Sequence, residues 1–350
     1  MTMRDIAAKC GVSVATVSNV INGKGGVSEE TRKRILRIIE EQQYTPNSAA
    51  KHLKIGQTHT IGVIVEDITV FVAPDVVDGI TKFCEKNGYR VMLSNMRLYG
   101  KYSDTYYYTK DEWFMAQVQQ VLRDLSAAQV DGIIYVSAHE RTLECLPKEF
   151  GIPLVMTYAY SNTEGIPSVV IDDVQGGDLM TEYAISMGHR RIGVITGKEG
   201  SCHARDRLLG YQNALFRNQI LYNPMLVMRG DWSRDSGARC TDALLEQGAT
   251  AIFCMNDMMA DGVYRRLHQL GVDPGEDVSV MGYDDRNWSG FAYPPLTTVR
   301  LPLHEIGYQA GKTMLELLRE RRLPKEKPEI RVPCELVVRD SVKNIRQQPN

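Results

Sequence analysis

The sequence predicts two architectures in one chain: an N-terminal all-α helix-turn-helix headpiece, then an α/β body of two doubly wound parallel-sheet subdomains. Three observations predict it. Residues 2–54 carry short helical patterns separated by glycine turns. From Thr60 onward, apolar runs of strand length alternate with amphipathic helical patterns. Roughly ten such strand–helix units are too many for one ordinary sheet, so the body divides in two.

The headpiece elements follow in order. Thr2 and Asp5 make a capping-box pattern for a first helix carrying Ile6, Ala7 and Cys10. Gly11 supplies a turn tolerant of positive φ, and Ser13 is a natural N-cap for a second helix with Val17 and Val20 inward. Ala7 is small where two helices must cross steeply, and Val12 completes the miniature core. Gly23-Lys24-Gly25-Gly26 breaks the chain, and Ser28 caps a third helix from about Glu29 to Gln43 with Ile35, Leu36, Ile38 and Ile39 as its apolar face. Pro46 stops that structure. Asn47 can cap the segment 48–53, which is too short to be helical without a partner.

In the body, strands are predicted at Ile61–Val65, Arg90–Ser94, Gly132–Val136, Leu154–Thr157, Val169–Ile171, Ile192–Thr196, Met225–Met228, Ala251–Met255 and Val278–Met281. Helices are predicted at Pro74–Lys86, Asp111–Ala127, Val174–Met187, Arg205–Phe216, Ser236–Glu246 and Asp257–Leu270. Continuous apolar strands between amphipathic helices imply parallel sheets covered on both faces.

The whole-chain numbers narrow the function classes. No apolar run approaches the length of a membrane span, and residues 1–30 show no secretory pattern, so a cytoplasmic protein is expected. Seven scattered cysteines without a C-x-x-C pair read as reduced packing residues. The net charge of −2 hides an asymmetry. Residues 1–60 hold nine Lys/Arg against five Asp/Glu, so a basic head of +4 precedes a body of −6. A helix-turn-helix with that charge offers its second helix to the major groove of DNA.

The composite D-I-A-x-x-x-G-V-S-x-x-T-V-S-x-V-I-N, then V-S-x-x-T-R, then Y-x-P-N-x-x-A-x-x-L resembles the LacI/GalR family of bacterial transcriptional repressors. The resemblance runs through the whole chain. It implies a periplasmic-binding-protein-like (type I) core, with the headpiece at 1–45, a hinge helix and linker at 46–59, the core at 60–340 and a polar tail at 341–350. Within the core it implies one subdomain at about 60–160 plus 301–328 and a second at about 161–300 plus 329–340. A pseudo-palindromic operator, a homodimer and a small-molecule effector in the cleft are also implied, the effector a sugar or sugar derivative. The alternatives are a purine- or nucleoside-responsive corepressor-type regulator, or a solute-binding protein sharing the core fold.

The same resemblance assigns roles. Val14, Ala15 and Asn19 would meet base edges, since Asn pairs with adenine and apolar side chains meet thymine methyls. Thr16, Ser18, Asn22, Ser28 and Thr31 would hold phosphates, with Asn47 counted among the DNA-facing residues; simple capping competes for Ser13 and Ser28. Leu53 would wedge into a central minor-groove step. In the body, Asp173, Arg207, Asn256 and Asp284 fall at effector positions. A polyol needs carboxylate acceptors, a fixed guanidinium fork and an amide that does both. The bland reading of Arg207 is a structural Arg–Asp pair. Asp173 departs from the family, which usually has Asn there. Leu301 and Leu303 are as readily core as ligand contacts.

The stretch from Asn95 to Asp131 is longer than the family's usual connection, and five of the seventeen tyrosines lie within residues 98–108. They form either an aromatic platform over the cleft or a surface loop packed on its own subdomain. Several motifs are set aside. Gly197-Lys198 lacks the first glycine of a phosphate loop, the histidines lack metal-ligand spacing, and Ser201-Cys202-His203 are adjacent in sequence, which says nothing of a triad. His189 reads as structural. No cofactor, metal or catalytic residue is expected, and neither is a C-terminal tetramerising coiled coil.

Overall fold

The computed structural model describes residues 2–21, 23–42, 57–101, 112–144, 146, 151–320 and 328–346. Contacts divide the chain into two compact units, residues 1–58 and 59–350. Asn22, Asn47, Leu53, the hinge segment up to residue 56, Tyr102 to Tyr108 and the last four residues lie outside the described part.

The first unit contains α1 (Met3–Cys10), α2 (Val14–Ile21) and α3 (Glu29–Glu41). The capping box is present: Thr2 Oγ1 accepts from the Asp5 amide at 3.3 Å while Asp5 accepts from the Thr2 amide at 2.7 Å. Gly11 closes α1 in the left-handed region at φ 61°. Ile6, Ala7, Cys10, Val17, Val20 and Ile35 form the buried core, with Val12, Ile38 and Ile39 packed against it. Leu36 is corrected: it is 46% exposed, because Ile35 sets the inward face and the next residue on a helix points about 100° away.

The second unit holds two parallel sheets. The chain runs through β1 (Thr60–Val65), α4 (Ala73–Lys86), β2 (Arg90–Asn95), α5 (Glu112–Ala127), β3 (Gly132–Val136), β4 (Thr142–Leu143), β5 (Leu154–Thr157), β6 (Tyr160–Ser161) and β7 (Ser168–Ile171). It continues through α6 (Asp173–Ser186), β8 (Ile192–Thr196), α7 (Cys202–Arg217), β9 (Val227–Arg229), α8 (Arg234–Glu246), β10 (Ala251–Cys254), α9 (Asp257–Leu270) and β11 (Ser279–Met281). The last elements are β12 (Thr298–Arg300), α10 (Leu303–Glu320), β13 (Glu329–Val332) and β14 (Glu335–Val337).

The larger sheet has the order β13-β7-β5-β3-β1-β2, and the smaller has β11-β10-β8-β9. Every pairing within these two sheets is parallel. The expected subdomain boundaries move. β7 pairs with β5 and β13 pairs with β7, so both belong to the first sheet and the crossovers fall near 172 and 333 rather than 160 and 328. A short apolar run such as Ser168–Ile171 is compatible with either sheet, and only pairing decides. The strand expected from Met225 begins instead as a 3₁₀ turn at Pro224–Leu226, since proline lacks the ladder donor.

Helix packing rests on reciprocal glycines. A Cβ on Gly79 of α4 would lie 2.0 Å from the His304 carbonyl, and one on Gly307 of α10 would lie 2.0 Å from that of Val76. The same device joins α6 to α7 through Gly177 and Gly210, and α8 to α9 through Gly237 and Gly262. Each pair lets two backbones meet where any side chain would hold them apart.

Candidate functional site

In the headpiece the second helix is shaped for presentation. Val14 is 41% exposed, Ala15 is exposed and Asn19 half-buried, while Val17 and Val20 on the opposite face anchor the helix. Ser13 Oγ accepts from the Thr16 amide at 3.1 Å and shares a hydrogen bond with Thr16 Oγ1 at 2.9 Å. Ser28 Oγ accepts from the Thr31 amide at 3.3 Å and donates to Thr31 Oγ1 at 2.9 Å. Both serines therefore cap helices. Ser18 is half-buried.

In the body, each sheet reverses its strand order once, between β1 and β3 and between β8 and β10. Ligands of open parallel sheets bind beyond the carboxyl ends of strands at such points. A cavity of about 200 Å³ lies there, lined by Phe71, Glu140, His203, Arg207, Trp232 and Asp284 among others. It is small for a binding pocket, the size for a compact molecule.

Arg207 organises one wall. Reciprocal glycines bring α6 and α7 together, with the Arg207 carbonyl 2.2 Å from where a Gly177 Cβ would lie. This close crossing sets Arg207 Nε 2.7 Å from Asp173 Oδ1 at the start of α6. Arg207 Nη1 also donates to the Met255 carbonyl after β10 and lies 4.0 Å from Asp284 Oδ1 after β11. The guanidinium stacks 3.7 Å from the Tyr283 ring centroid. Three strand ends are thus tied to one side chain, and the Arg–Asp pair is real.

His203 sits one turn before Arg207 on the same helix face, and its Nδ1 pairs with Asp173 Oδ2 at 2.5 Å. Burial would raise the Asp173 pKa, but Arg207 and His203 overcome it and hold the carboxylate well below its ordinary range. Burial likewise opposes charge on His203, yet Asp173 and Glu140 raise its pKa. Burial pushes Asp284 upward, and its φ of 116° is a strained backbone for a non-glycine residue at a site. Burial also lifts Glu140 to about 7.

Asn256 lines the cavity, but its amide is occupied: Oδ1 caps α9 on the Met259 amide at 2.8 Å, and Nδ2 donates to the Trp232 carbonyl at 3.0 Å. Leu301 and Leu303 belong to the hydrophobic core. His189 clasps Thr250, Ser279 and the Lys343 carbonyl, a structural role. Of the tyrosine-rich insertion, Tyr99 lines the cavity and pairs with His139 at 2.8 Å, while Leu98 and Phe114 are buried in their own subdomain.

Sequence reasoning missed Glu140 and His203. His203 was legible: with Ser201 recognised as the N-cap, α7 begins at Cys202 rather than the expected Arg205, and His203 and Arg207 share a face at i,i+4. Ser201 spends its hydroxyl on capping the Ala204 amide, and Cys202 is half-buried, so the three adjacent residues do not assemble a triad. Glu140 carries no pattern of its own; it lies on the loop after β3.

A helix-turn-helix unit joined to a two-sheet body with a polar cleft defines a DNA-binding transcriptional regulator. Residues 2–47 match the bacterial regulatory proteins of the lacI family, and residues 181–342 match a periplasmic-binding-protein-like domain. The ribose operon repressor of Haemophilus influenzae is 33% identical, covering 91% of this chain and 92% of that protein. The transcriptional repressor PurR of Vibrio vulnificus is 32% identical, covering 98% and 99%. The Lac repressor dimer bound to operator and the anti-inducer ONPF matches with a TM-score of 0.76 at 28% identity, over 98% of this chain and 99% of that one. The chain belongs to the lacI family of bacterial regulatory proteins.

Proposed function

We propose that the chain is a repressor whose grip on a pseudo-palindromic operator is controlled by a small sugar or sugar derivative in the cleft. The observation that carries this is the cavity at the two strand-order reversals, which combines the carboxylates of buried Glu140 and half-buried Asp284 with the aromatic rings of Phe71, Tyr158 and Trp232. Carboxylates accept from hydroxyls, and ring faces suit the apolar faces of a sugar. A solute-binding protein would have no use for the headpiece.

Arg207, with Asp173 behind it, fixes the wall; Asp284 accepts from hydroxyls; Asn256 holds the Trp232 loop and presents its edge. In the headpiece, Val14, Ala15 and Asn19 read bases, while Thr16, Ser18, Asn22, Ser28 and Thr31 hold the DNA backbone, and Asn47 is counted among the DNA-facing residues. Residues 46–59 form the hinge, with Leu53 as its wedge. The working unit is a homodimer, as in the Lac repressor match; exposed Leu221, Phe291 and Tyr293 are the kind of surface that self-association covers. A regulator of this kind works in the cytoplasm, beside the chromosome. Among the described residues no helix is long and apolar enough to cross a membrane.

The test is selection of duplexes from a random pool by the purified protein, followed by titration of the selected duplex complex with a sugar panel. Enrichment of a two-fold-related sequence whose affinity changes with one sugar is expected. No enrichment, or an affinity that no sugar moves, overturns the reading.

A further inference from the structure

Glu140 and His203 face the cavity with work unfinished. Glu140 is 2% exposed and His203 9%, yet Glu140 Oε2 and His203 Nε2 have no hydrogen-bond partner. Buried polar atoms are nearly always paired, and each left unpaired is costly. The other ends of both side chains are committed. Glu140 Oε1 accepts from the Tyr160 hydroxyl at 3.0 Å, and His203 Nδ1 is locked on Asp173. The Tyr158 ring, 5.1 Å from the imidazole centroid, closes one side. One polar atom each from Glu140, Asp173 and His203 falls within 4.8 Å of the others, and Glu140 and His203 line the same cavity, so the carboxylate and the imidazole are neighbours at one corner of it.

The chemistry of a group bound at that corner is restricted. With Nδ1 donating to Asp173, an imidazolium offers a second N–H at Nε2, and a neutral ring offers a lone pair there. A phosphate or carboxylate only accepts, and it would meet the Glu140 carboxylate. An ammonium only donates, and it would meet the imidazolium. A divalent cation would want Asp173, whose two oxygens are already taken by Arg207 and His203. A hydroxyl both donates and accepts. We propose that Glu140 and His203 bridge one hydroxyl of a polyol and thereby select it over purine bases. This rests on the effector-cleft reading above and narrows it. It also gives Asp173 its purpose: an Asn in its place could accept from Nδ1–H but would bring no charge to favour the protonated imidazole.

The test is calorimetric titration of the full-length protein with D-ribose, D-glucose and D-cellobiose, with ribose 5-phosphate and glucose 6-phosphate, with hypoxanthine, and with zinc chloride. Each is repeated on Glu140→Gln, His203→Gln and the double variant. A neutral sugar should bind the unaltered protein, and each single variant should weaken it by roughly tenfold or more. The double variant should lose little more than either single one, because one hydroxyl is shared. One monodeoxy form of that sugar should show the same loss on the unaltered protein, which keeps the test sound if a variant fails to fold. A neutral sugar that binds all variants equally overturns the bridge and leaves the polyol cleft standing. Preferred binding of hypoxanthine or zinc overturns the selectivity, and a phosphorylated sugar that binds all variants equally overturns the bridge. No binding by any sugar overturns the effector reading, and the bridge with it.

Discussion

Gly177 and Arg207 meet across two helices, the Arg207 carbonyl lying where a Gly177 side chain would begin, 2.2 Å from its ideal Cβ. The approach is reciprocal through Gly210, and it delivers the Arg207 guanidinium to Asp173. Packing and site are therefore one feature. Gly177→Ala must push α6 from α7, and overpacking of this kind costs about 1–3 kcal/mol. Urea midpoints should fall accordingly, and the response to any effector should fall with them. A variant of unchanged midpoint would show that the crossing has slack.

Asp173→Asn tests what the added charge does. The imidazole of His203 loses its main carboxylate partner, so burial, opposed by Glu140 alone, should lower its pKa from that of the unaltered protein. The expected readout is the proton NMR titration of His203, with DNA affinity unaltered. An unmoved titration would mean that Asp173 does not govern the imidazole.

Glu140 makes stability depend on pH. A free glutamate titrates near 4.5 and Glu140 near 7, chiefly through burial. Between those values the folded chain holds a proton that the unfolded chain releases. Stability therefore declines as pH rises through this window, and the penalty is fully present above 7. Glu140→Gln should be more stable than the unaltered protein by about 1–3 kcal/mol near pH 8, the gap shrinking below about pH 5. Denaturant midpoints across this range check it, and a gap independent of pH would contradict it.

Asn19→Ala should relax base preference at one position per half-site by about 1–3 kcal/mol, measured by anisotropy on single-base variants of the selected duplex. A uniform loss across all sequences would reassign Asn19 to phosphate contact.

Leu53→Ala should weaken binding to the selected duplex far more than binding to random DNA, since unstacking a base step serves only the specific complex. Equal losses on both would remove the wedge.

The sequence by itself determined most elements up to Met281 and the division between headpiece and body, while Leu303–Glu320 and the strands around it carried no such reading. Period-3.6 and continuous apolar patterns, caps at Thr2, Ser13 and Ser28, and the glycine turn at Gly11 are local signals, and local hydrogen bonds and φ preferences obey them. The resemblance, which runs through the whole chain, placed Arg207 and Asp284 at the cleft, where strand ends in parallel sheets converge by topology. What only the tertiary structure decided is long-range. Ser168–Ile171 and Glu329–Val332 joined the first sheet because their backbones found each other, far apart in sequence. Glu140 became part of the site because β3 of the first sheet ends opposite α7, which carries His203. Asn256 proved to have its amide already engaged, a fact of neighbours rather than of residue type. Burial, and with it the charge state of Glu140, His203 and Asp284, comes from what packs around a side chain, and no local pattern encodes that.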